Sequence, residues 1–192
     1  MSFKYRDYQE EAVRIGLEVL RDPKGRKEVI VAVTASGKSL IIAGLANELT
    51  DGNILVLQPD KNILEQNLSK IEYFGTFPCV YSASMKRREL GHLIYATPKS
   101  VSFDVLKDAN IIYCIIDEVD YGSKNDSHVI KLLKQLGIKS VVGLTGTPIH
   151  TDSSGQDGSV ARIMTQIKNP FFTDICYVVS AEKMIENEYW SK

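Results

Sequence analysis

The chain has 192 residues, of which 44% are hydrophobic and 24% charged, and its formal net charge is -1. This length suits one domain with a full core or two very small domains, and the composition is that of an ordinary globular protein. The balanced charge provides no overall basic field, so nucleic-acid binding would have to use a local patch. The apolar stretches fall short of the roughly 18 residues that a membrane helix needs, and the polar start Met1–Lys4 does not resemble a signal peptide.

Three cysteines, Cys79, Cys114 and Cys176, lie scattered in apolar segments and form no CxxC pair. An odd, scattered set argues against a disulfide framework and a zinc site, and it favours a role in filling the core. Free thiols are typical of a reducing compartment. We therefore expect a cytoplasmic protein, or one of the host cytoplasm if its source is viral.

Apolar runs rich in Val and Ile alternate along the chain with helical patterns. The predicted strands are Val29–Val33, Ile54–Gln58, Pro78–Tyr81, Leu93–Ala96, Ile111–Asp117, Val141–Thr145 and Ile175–Val179. The predicted helices are Asp7–Leu20, Lys38–Leu49, Lys61–Phe74, Ser127–Leu136 and Ala181–Glu188. This alternation favours a doubly wound α/β fold, in which helices cover both faces of a mostly parallel sheet and ligands bind at the carboxyl ends of the strands. The polar segment Thr151–Ser159 is rich in Gly and Ser, and we expect it to be a mobile loop.

The first predicted strand runs into a small-residue loop ending in Gly-Lys-Ser and then into a helical stretch, an order that predicts a cradle for phosphates. Gly37 allows close approach of the backbone, Lys38 reaches the β- and γ-phosphates, and the Ser39 hydroxyl holds Mg²⁺. The other cradle residues are Thr34, Ala35 and Ser36. Ala32 replaces the first glycine of the pattern, which is acceptable if its backbone is extended. The alternative is an ordinary strand-to-helix turn.

A pair of carboxylates ends the predicted strand Ile111–Asp117, which continues with Glu118, Val119 and Asp120. Adjacent carboxylates at the tip of a central strand repel each other unless a cation lies nearby. We therefore expect Asp117 to hold Mg²⁺, directly or through water, and Glu118 to orient and deprotonate the water that attacks the γ-phosphate. The alternative is an acidic loop at the surface of the sheet.

A third strand end, Val141–Thr145, continues with Gly146, Thr147 and Pro148. The hydroxyls of Thr145 and Thr147 can bond neighbouring carboxylates or backbone groups, and Gly146 lets the loop pass close to them. By itself, this segment is also explained as a turn closed by Thr-Pro.

Together these segments resemble the first RecA-like domain of superfamily 2 helicases and translocases, a P-loop NTPase fold of the DEAD/DEAH-like type. The resemblance runs from about Phe3 onward, and the motifs follow the order of the family. The counterparts are Tyr5–Gln9 for the adenine-reading segment, Ala32–Ser39 for motif I, Leu57–Gln66 for motif Ia, Tyr95–Ser100 for motif Ib, Asp117–Asp120 for motif II and Thr145–Thr147 for motif III. The chain departs from the family pattern in lacking Pro-Thr-Gly in motif I, in ending motif II with Val-Asp, and in having Gly146 where alanine is usual.

The resemblance implies that the chain binds ATP and Mg²⁺. Gln9 would bond the adenine edge, with Arg6 or Tyr5 beside it. The residues that would couple hydrolysis to movement are Asp120, Thr145 and Thr147. Contacts with a nucleic-acid strand go mainly to phosphates, and the matching candidates are Lys61, Thr97 and Lys99.

The Tyr-Gln start and the tail Ala181–Tyr189 resemble the DNA-repair, phage and restriction branch, which favours DNA over RNA as partner. In that branch the tail leads into a second RecA-like domain, which carries arginine fingers worth about 10³–10⁵ in rate. We therefore expect residues 1–180 to form the ATP-binding domain and residues 181–192 to begin a bridge toward such a domain. Without it, in the same protein or in a partner, we expect weak or absent hydrolysis.

The densest basic cluster is Lys86, Arg87 and Arg88, which lies between two predicted strands. It is either a further contact for nucleic acid or the solvated face of a helix. Charge reversal at all three positions tests the first interpretation, because fewer phosphate contacts flatten the salt dependence of DNA binding.

Two other functions could use the same phosphate cradle. A small P-loop phosphotransferase would need an acceptor pocket and a lid with arginines, and although Arg87 and Arg88 could mimic a lid, nothing like an acceptor site follows. A non-catalytic, nucleotide-dependent interaction module would not need the complete set of catalytic side chains. We therefore favour an ATP-driven motor domain that acts on DNA.

Overall fold

The computed structural model describes residues 5–119, 127–152, 160–167 and 169–186. Its helices are α1 (Asp7–Leu20), α2 (Lys38–Glu48), α3 (Lys61–Glu72), α4 (Phe103–Leu106), α5 (His128–Gln135) and α6 (Ala181–Glu186), with a 3₁₀ turn at Pro98–Ser100. Its strands are β1 (Lys27–Ala32), β2 (Asn53–Leu57), β3 (Cys79–Ser82), β4 (Arg87–Arg88), β5 (Leu93–Ala96), β6 (Ile111–Asp117), β7 (Ser140–Thr145), β8 (Ile149–Asp152), β9 (Val160–Ile163) and β10 (Asp174–Val179). None of the helices within these residues is long and apolar enough to cross a membrane.

Eight of the strands form one sheet in the order β10-β1-β7-β6-β2-β5-β3-β4. Every neighbouring pair is parallel except β3 and β4, which are antiparallel. All seven predicted strands lie in this sheet, and the predicted α/β fold with a mostly parallel sheet is confirmed. Strands β8 and β9 form a separate hairpin that the sequence did not predict.

Helices cover both faces of the sheet. One core contains the inner sides of α1, α2 and α3, and the other contains those of α4 and α5 together with Phe171 and Phe172. The adjacent residues Val29 and Ile30 of β1 are both fully buried, one in each core. Two-sided burial explains why the strands read as continuous apolar runs, and it stabilises the sheet by about 1.5–3 kcal/mol for each large aliphatic side chain.

The register brings three predicted functional segments to one edge of the sheet. Strand β7 lies between β1 and β6, and its Leu144 is beside both Ile30 and Asp117. The next residue of β7, Thr145, is beside Val31 of β1. Because all three strands are parallel, their carboxyl ends meet at the same edge, where ligands of such sheets bind.

Two expectations from the sequence are corrected. The predicted loop Thr151–Ser159 is not entirely a loop, because Thr151 and Asp152 belong to β8, while residues 153–159 lie outside the described residues. The basic cluster is not on a helix, because Arg87 and Arg88 form β4 and pair with Ser82 and Tyr81. A two-residue strand has too few positions to show an alternating pattern, so its pairing depends on the neighbouring strand.

Candidate functional site

The loop after β1 presents an open helix end. Gly37 is the N-cap of α2, and its φ of 82° is left-handed, which glycine adopts without strain. No side chain within the described residues caps α2, whereas Asp60 and Ser127 cap α3 and α5. The free N–H groups of α2 therefore remain available to an anion such as a phosphate group.

Two side chains of α1 form hydrogen bonds with this loop. The Tyr8 hydroxyl donates to the Ser36 carbonyl oxygen at 2.8 Å, and Gln9 Nε2 donates to the same oxygen at 3.1 Å. Gln9 Oε1 in turn accepts from the Arg6 backbone N–H at 3.1 Å. A Cβ on Gly37 would lie 2.5 Å from Gln9 Nε2, so the close approach also requires glycine.

These hydrogen bonds between α1 and the loop, called the clamp below, use one of the residues that were predicted to contact adenine. Gln9 is 3% exposed, and its amide links α1 to the phosphate loop. Tyr5 stacks on Phe74 with ring centroids 5.8 Å apart, and burial followed by the charge of Glu48 raises its pKa to about 12. The adenine roles of Gln9, Arg6 and Tyr5 remain predictions. Nothing in the sequence indicated the contact of Tyr8 with Ser36, except that Tyr8 is adjacent to the predicted site residue Gln9.

The strained position of the loop is not the expected one. Ala32 ends β1 as a buried, extended residue, so the missing first glycine causes no strain. Ala35 instead has a φ of 64°. A left-handed conformation costs a residue with a Cβ about 1–2 kcal/mol.

Lys38 lies opposite the predicted catalytic carboxylates. Its Nζ is 3.1 Å from Glu118 Oε1, and the two side chains are 14% and 33% exposed. Glu118 has a left-handed φ of 49°, and its N–H donates to Asp117 Oδ1 at 3.0 Å. Such outliers concentrate at functional sites, where the surrounding structure holds them.

Asp117 is a buried carboxylate at the end of β6. Burial, together with the charge of Glu118, raises its pKa to about 6. Its Oδ2 accepts a hydrogen bond from Asn67 Nδ2 at 3.1 Å. Burial raises the pKa because it disfavours the charged form, and a divalent cation beside the carboxylate would stabilise that form. The carboxylate of Asp117 and the hydroxyl of Ser39 are hard oxygen donors, so the residues fit Mg²⁺.

The loop after β7 packs against the phosphate loop. The Thr145 side chain is fully buried, and its Oγ1 donates to the Thr147 carbonyl oxygen at 3.1 Å and accepts from the Thr147 N–H at 3.0 Å. A Cβ on Gly146 would lie 3.6 Å from Lys38 Nζ and 3.8 Å from Thr34 Oγ1. The predicted coupling residue Asp120 lies outside the described residues, and the coupling roles of Thr145 and Thr147 remain predictions.

The predicted strand-binding residues lie along the same edge, farther from the phosphate loop. Thr97 is buried, and its Oγ1 is 2.7 Å from Ser100 Oγ, which also accepts from the Ala83 N–H at 2.9 Å. This bond ties the turn between β3 and β4 to the exposed Lys99 and its neighbours. The basic cluster and the motif Ib counterpart therefore form one surface.

Two of the predicted cations are partly neutralised. Arg87 makes a two-point contact with Glu89, and Lys61 Nζ is 3.5 Å from Glu65. The N-terminus of α3 is capped by Asp60, which accepts from the Asn62 and Ile63 N–H groups at 2.7 and 3.0 Å. The N–H groups of Asn62 and Ile63 are therefore not available to a phosphate. Lys86, Arg88 and Lys99 have no carboxylate partner among the described residues.

A groove joins this surface to Asp117 and Glu118. Its volume is about 860 Å³, and it runs from the start of α3 past Pro98 and Lys99 to Glu118 and the start of α5. The groove thus links the predicted catalytic carboxylates and the candidate strand-binding surface along one edge of the sheet.

The family model described as "Type III restriction enzyme, res subunit" matches residues 2–150. The chain belongs to this family. It has a RecA-like fold of superfamily 2 and is a domain of the ATP-dependent helicase and translocase type. No match was found among the curated proteins.

Solved structures share the fold of this chain. The type ISP restriction-modification enzyme LlaBIII, bound to DNA, has a TM-score of 0.67 and 15% identity over 98% of this chain and 16% of its own. The SWI2/SNF2 ATPase core of Sulfolobus solfataricus, in complex with dsDNA, has a TM-score of 0.59 and 18% identity over 76% of this chain and 32% of its own. The UvsW helicase of bacteriophage T4 has a TM-score of 0.53 and 20% identity over 76% of this chain and 54% of its own. The chain thus spans between about a sixth and a half of the length of these proteins.

Proposed function

We propose that this domain binds Mg-ATP between the Lys38 loop and the Asp117–Glu118 strand end, and that its hydrolysis drives movement along DNA. The observation that carries the proposal is the ion pair between Lys38 and Glu118, 3.1 Å apart, beside the buried carboxylate of Asp117. It brings together residues 80 positions apart in the chain at one edge of the sheet. Two adjacent carboxylates, one of them buried with a raised pKa, that meet a lysine and an open helix end are the arrangement expected of a phosphate-transfer site.

Each side chain has a distinct role in this proposal. Lys38 leaves Glu118 and pairs with the β- and γ-phosphates, while the N–H groups of Gly37, Lys38 and Ser39 bond the phosphate oxygens. Glu118, released from Lys38, accepts a proton from the water that attacks the γ-phosphate. Ser39 and Asp117 would hold Mg²⁺, which when bound supplies positive charge against the charge that develops on the phosphates.

DNA is the favoured polymer. LlaBIII and the SWI2/SNF2 core were each solved in complex with DNA, and LlaGI, another type ISP restriction-modification enzyme, was solved with a DNA substrate mimic. Within the chain, the surface formed by the β3–β4 turn and residues 97–100 presents cations to solvent beside the nucleotide site. We assign the strand contacts to Lys61, Thr97, Lys99 and the cluster Lys86, Arg87 and Arg88.

We further propose that residues 1–180 are one lobe of a two-lobed motor and that residues 181–192 begin the bridge to the other lobe. The partner lobe would supply arginine side chains to the transition state, so the isolated domain is expected to hydrolyse ATP slowly. Vigorous turnover by this chain alone in a single-turnover assay would contradict the two-lobe proposal.

Phosphate release with and without duplex or single-stranded DNA, in the presence of the second lobe, tests the function directly. Lys38→Ala should abolish nucleotide binding, whereas Glu118→Gln should retain binding and lose turnover by about 10²–10⁴-fold. Stimulation by DNA supports the motor. Transfer of phosphate to a small acceptor would instead support a phosphotransferase, and tight binding without turnover a non-catalytic module.

The DNA surface has a matched test. Reversing the charge of Lys86, Arg87 and Arg88 should weaken DNA binding and flatten the slope of log K against log salt. Reversing the exposed Lys24, Lys134 and Lys139, which lie near the amino ends of the strands, is the control and should leave the slope unchanged. Equal slopes for the two triple variants would remove the basic cluster from the DNA surface.

A further inference from the structure

A cluster of buried polar side chains lies near the carboxyl ends of β2, β5 and β6. It consists of Gln58, Asn67, Tyr95 and Asp117, which are 0%, 1%, 0% and 6% exposed. Gln58 directly follows β2, and the register of β2 with β6 places it level with Asp117. Tyr95 of β5 pairs with Val56 of β2, which lies two residues before Gln58 and therefore on the same face of the sheet. Asn67 comes from α3, which covers this face.

Asn67 is the centre of the cluster. Its Nδ2 donates to Gln58 Oε1 at 2.6 Å and to Asp117 Oδ2 at 3.1 Å. Both protons of the amide are therefore directed at acceptors, one on each side. The Asp117 oxygen that Asn67 contacts is distinct from the one that accepts from the Glu118 N–H. The two donors together fix the plane of the carboxylate, because its two oxygens are held from different directions.

Asn67 occupies a position of the helix where the pattern predicts an apolar residue. The buried face of α3 is otherwise Leu64, Leu68 and Ile71, so Asn67 interrupts an apolar stripe. Within the described residues, Asn67 Oδ1, Gln58 Nε2 and Tyr95 Oη are buried without a hydrogen-bond partner. Each such atom costs about 1–3 kcal/mol. Packing alone therefore does not account for the cluster, whereas control of the Asp117 carboxylate does.

We propose that Asn67 is a positioning residue that holds the Asp117 carboxylate in the orientation required to bind the metal of the nucleotide complex. The proposal rests on the assignment of Asp117 to the metal above. Through Gln58, the same amide connects the metal site to the segment that leads into α3, which lies beside the candidate DNA surface. Movement of α3 on binding DNA would thereby change the metal site without any direct contact between DNA and nucleotide.

The test is the affinity of the domain for Mn²⁺ in the presence of saturating ADP, measured from the EPR signal of free Mn²⁺. Asn67→Leu keeps the volume and the helix but removes both N–H donors. Loss of a partner that orients a metal ligand typically costs 10–100-fold in metal affinity. We expect a loss of at least about tenfold, with unchanged ADP affinity in EDTA.

Asn53→Leu is the matched control. Like Asn67, Asn53 donates a hydrogen bond from its amide, in this case to the Ala109 carbonyl oxygen at 2.7 Å. Asn53 lies at the start of β2, however, at the edge of the sheet opposite to Asp117. This variant should lower stability without changing Mn²⁺ affinity. If Asn67→Leu does not fold, Gln58→Met removes only the second acceptor of the amide and should give an intermediate loss of Mn²⁺ affinity.

The outcomes separate the two proposals. If the unaltered domain binds neither ADP nor Mn²⁺ with ADP, the proposed nucleotide site is wrong, and the role of Asn67 falls with it. If the unaltered domain binds both, and a folded Asn67→Leu or Gln58→Met variant binds Mn²⁺ as tightly, the positioning role alone is refuted. Equal losses in Asn67→Leu and Asn53→Leu would also refute it, because a general loss of rigidity would then explain the effect.

Discussion

Substituting Gly37 by alanine tests the clamp, that is, the hydrogen bonds between α1 and the loop that precedes α2. Gly37 has a φ of 82°, and a Cβ at this position would lie 2.5 Å from Gln9 Nε2. The contact is with the end of a side chain, so the amide must swing away and give up its bond to the Ser36 carbonyl oxygen. Both the backbone and the clamp therefore oppose the substitution.

The expected cost follows from these two effects. A left-handed backbone costs alanine about 1–2 kcal/mol, of which about 0.4–1 kcal/mol is offset because alanine has fewer unfolded conformations than glycine. Loss of the Gln9 hydrogen bond adds about 0.5–1.5 kcal/mol. We expect Gly37→Ala to lower the free energy of unfolding by about 1–2.5 kcal/mol. In a Gln9→Ala background the second effect is absent, so the same substitution should cost less by about 0.5–1.5 kcal/mol.

Urea unfolding of the four proteins of this double-mutant cycle, without nucleotide, measures the coupling. The clamp is supported if Gly37→Ala is costly alone and cheaper beside Gln9→Ala. A Gly37→Ala protein as stable as the original would refute the left-handed backbone, and an identical cost in both backgrounds would refute the contact with Gln9.

Three further substitutions test the same site. Gly146→Ala should change stability by less than about 1 kcal/mol, because its Cβ meets Lys38 and Thr34 only at ordinary contact distances; a loss of several kcal/mol in urea would contradict the observed packing of this loop. Ala35→Gly should raise the free energy of unfolding by about 0.5–1 kcal/mol, and with it the urea midpoint. Glycine relieves the strain of the left-handed backbone at this position, and this gain exceeds the cost of the greater conformational entropy of glycine in the unfolded chain. A lower midpoint would contradict this expectation. Asp117 keeps its proton to about pH 6 when folded and to about 3.8 when unfolded, so the metal-free protein should lose up to about 3 kcal/mol as the pH rises through this window. Asp117→Asn should lack that part of the loss, and identical pH profiles would show that the carboxylate is not buried as described.

Much of the fold was predictable because its signals are local. The bounds of α1, β5 and β6 agree with the prediction, since each combines a clear apolar period with turn residues at its ends. The Lys38 loop was predictable for the same reason, because its small residues and the following helix are contiguous. Strands β4, β8 and β9 were missed, since they are short and are defined by antiparallel pairing rather than by an apolar pattern.

The partners within the site were not predictable in this way. The sequence indicates that Asn67 lies on the buried face of α3, but its contact with Asp117 joins residues 50 positions apart. The bond from Tyr8 to Ser36 spans 28 positions, and it depends on where α1 packs relative to β1. An interrupted apolar stripe was the available signal for Asn67, and it shows that the residue is unusual without showing what it contacts.

The sequence alone therefore determined the alternation of strands and helices, the small-residue loop before α2 and the acidic strand end, because propensity, period and turn chemistry act over a few neighbouring residues. Only the tertiary structure decided that β7 separates β1 from β6, that Lys38 faces Glu118 and that Asn67 holds Asp117. Those contacts depend on strand order and register, which are set by the packing of the whole sheet against its two layers of helices.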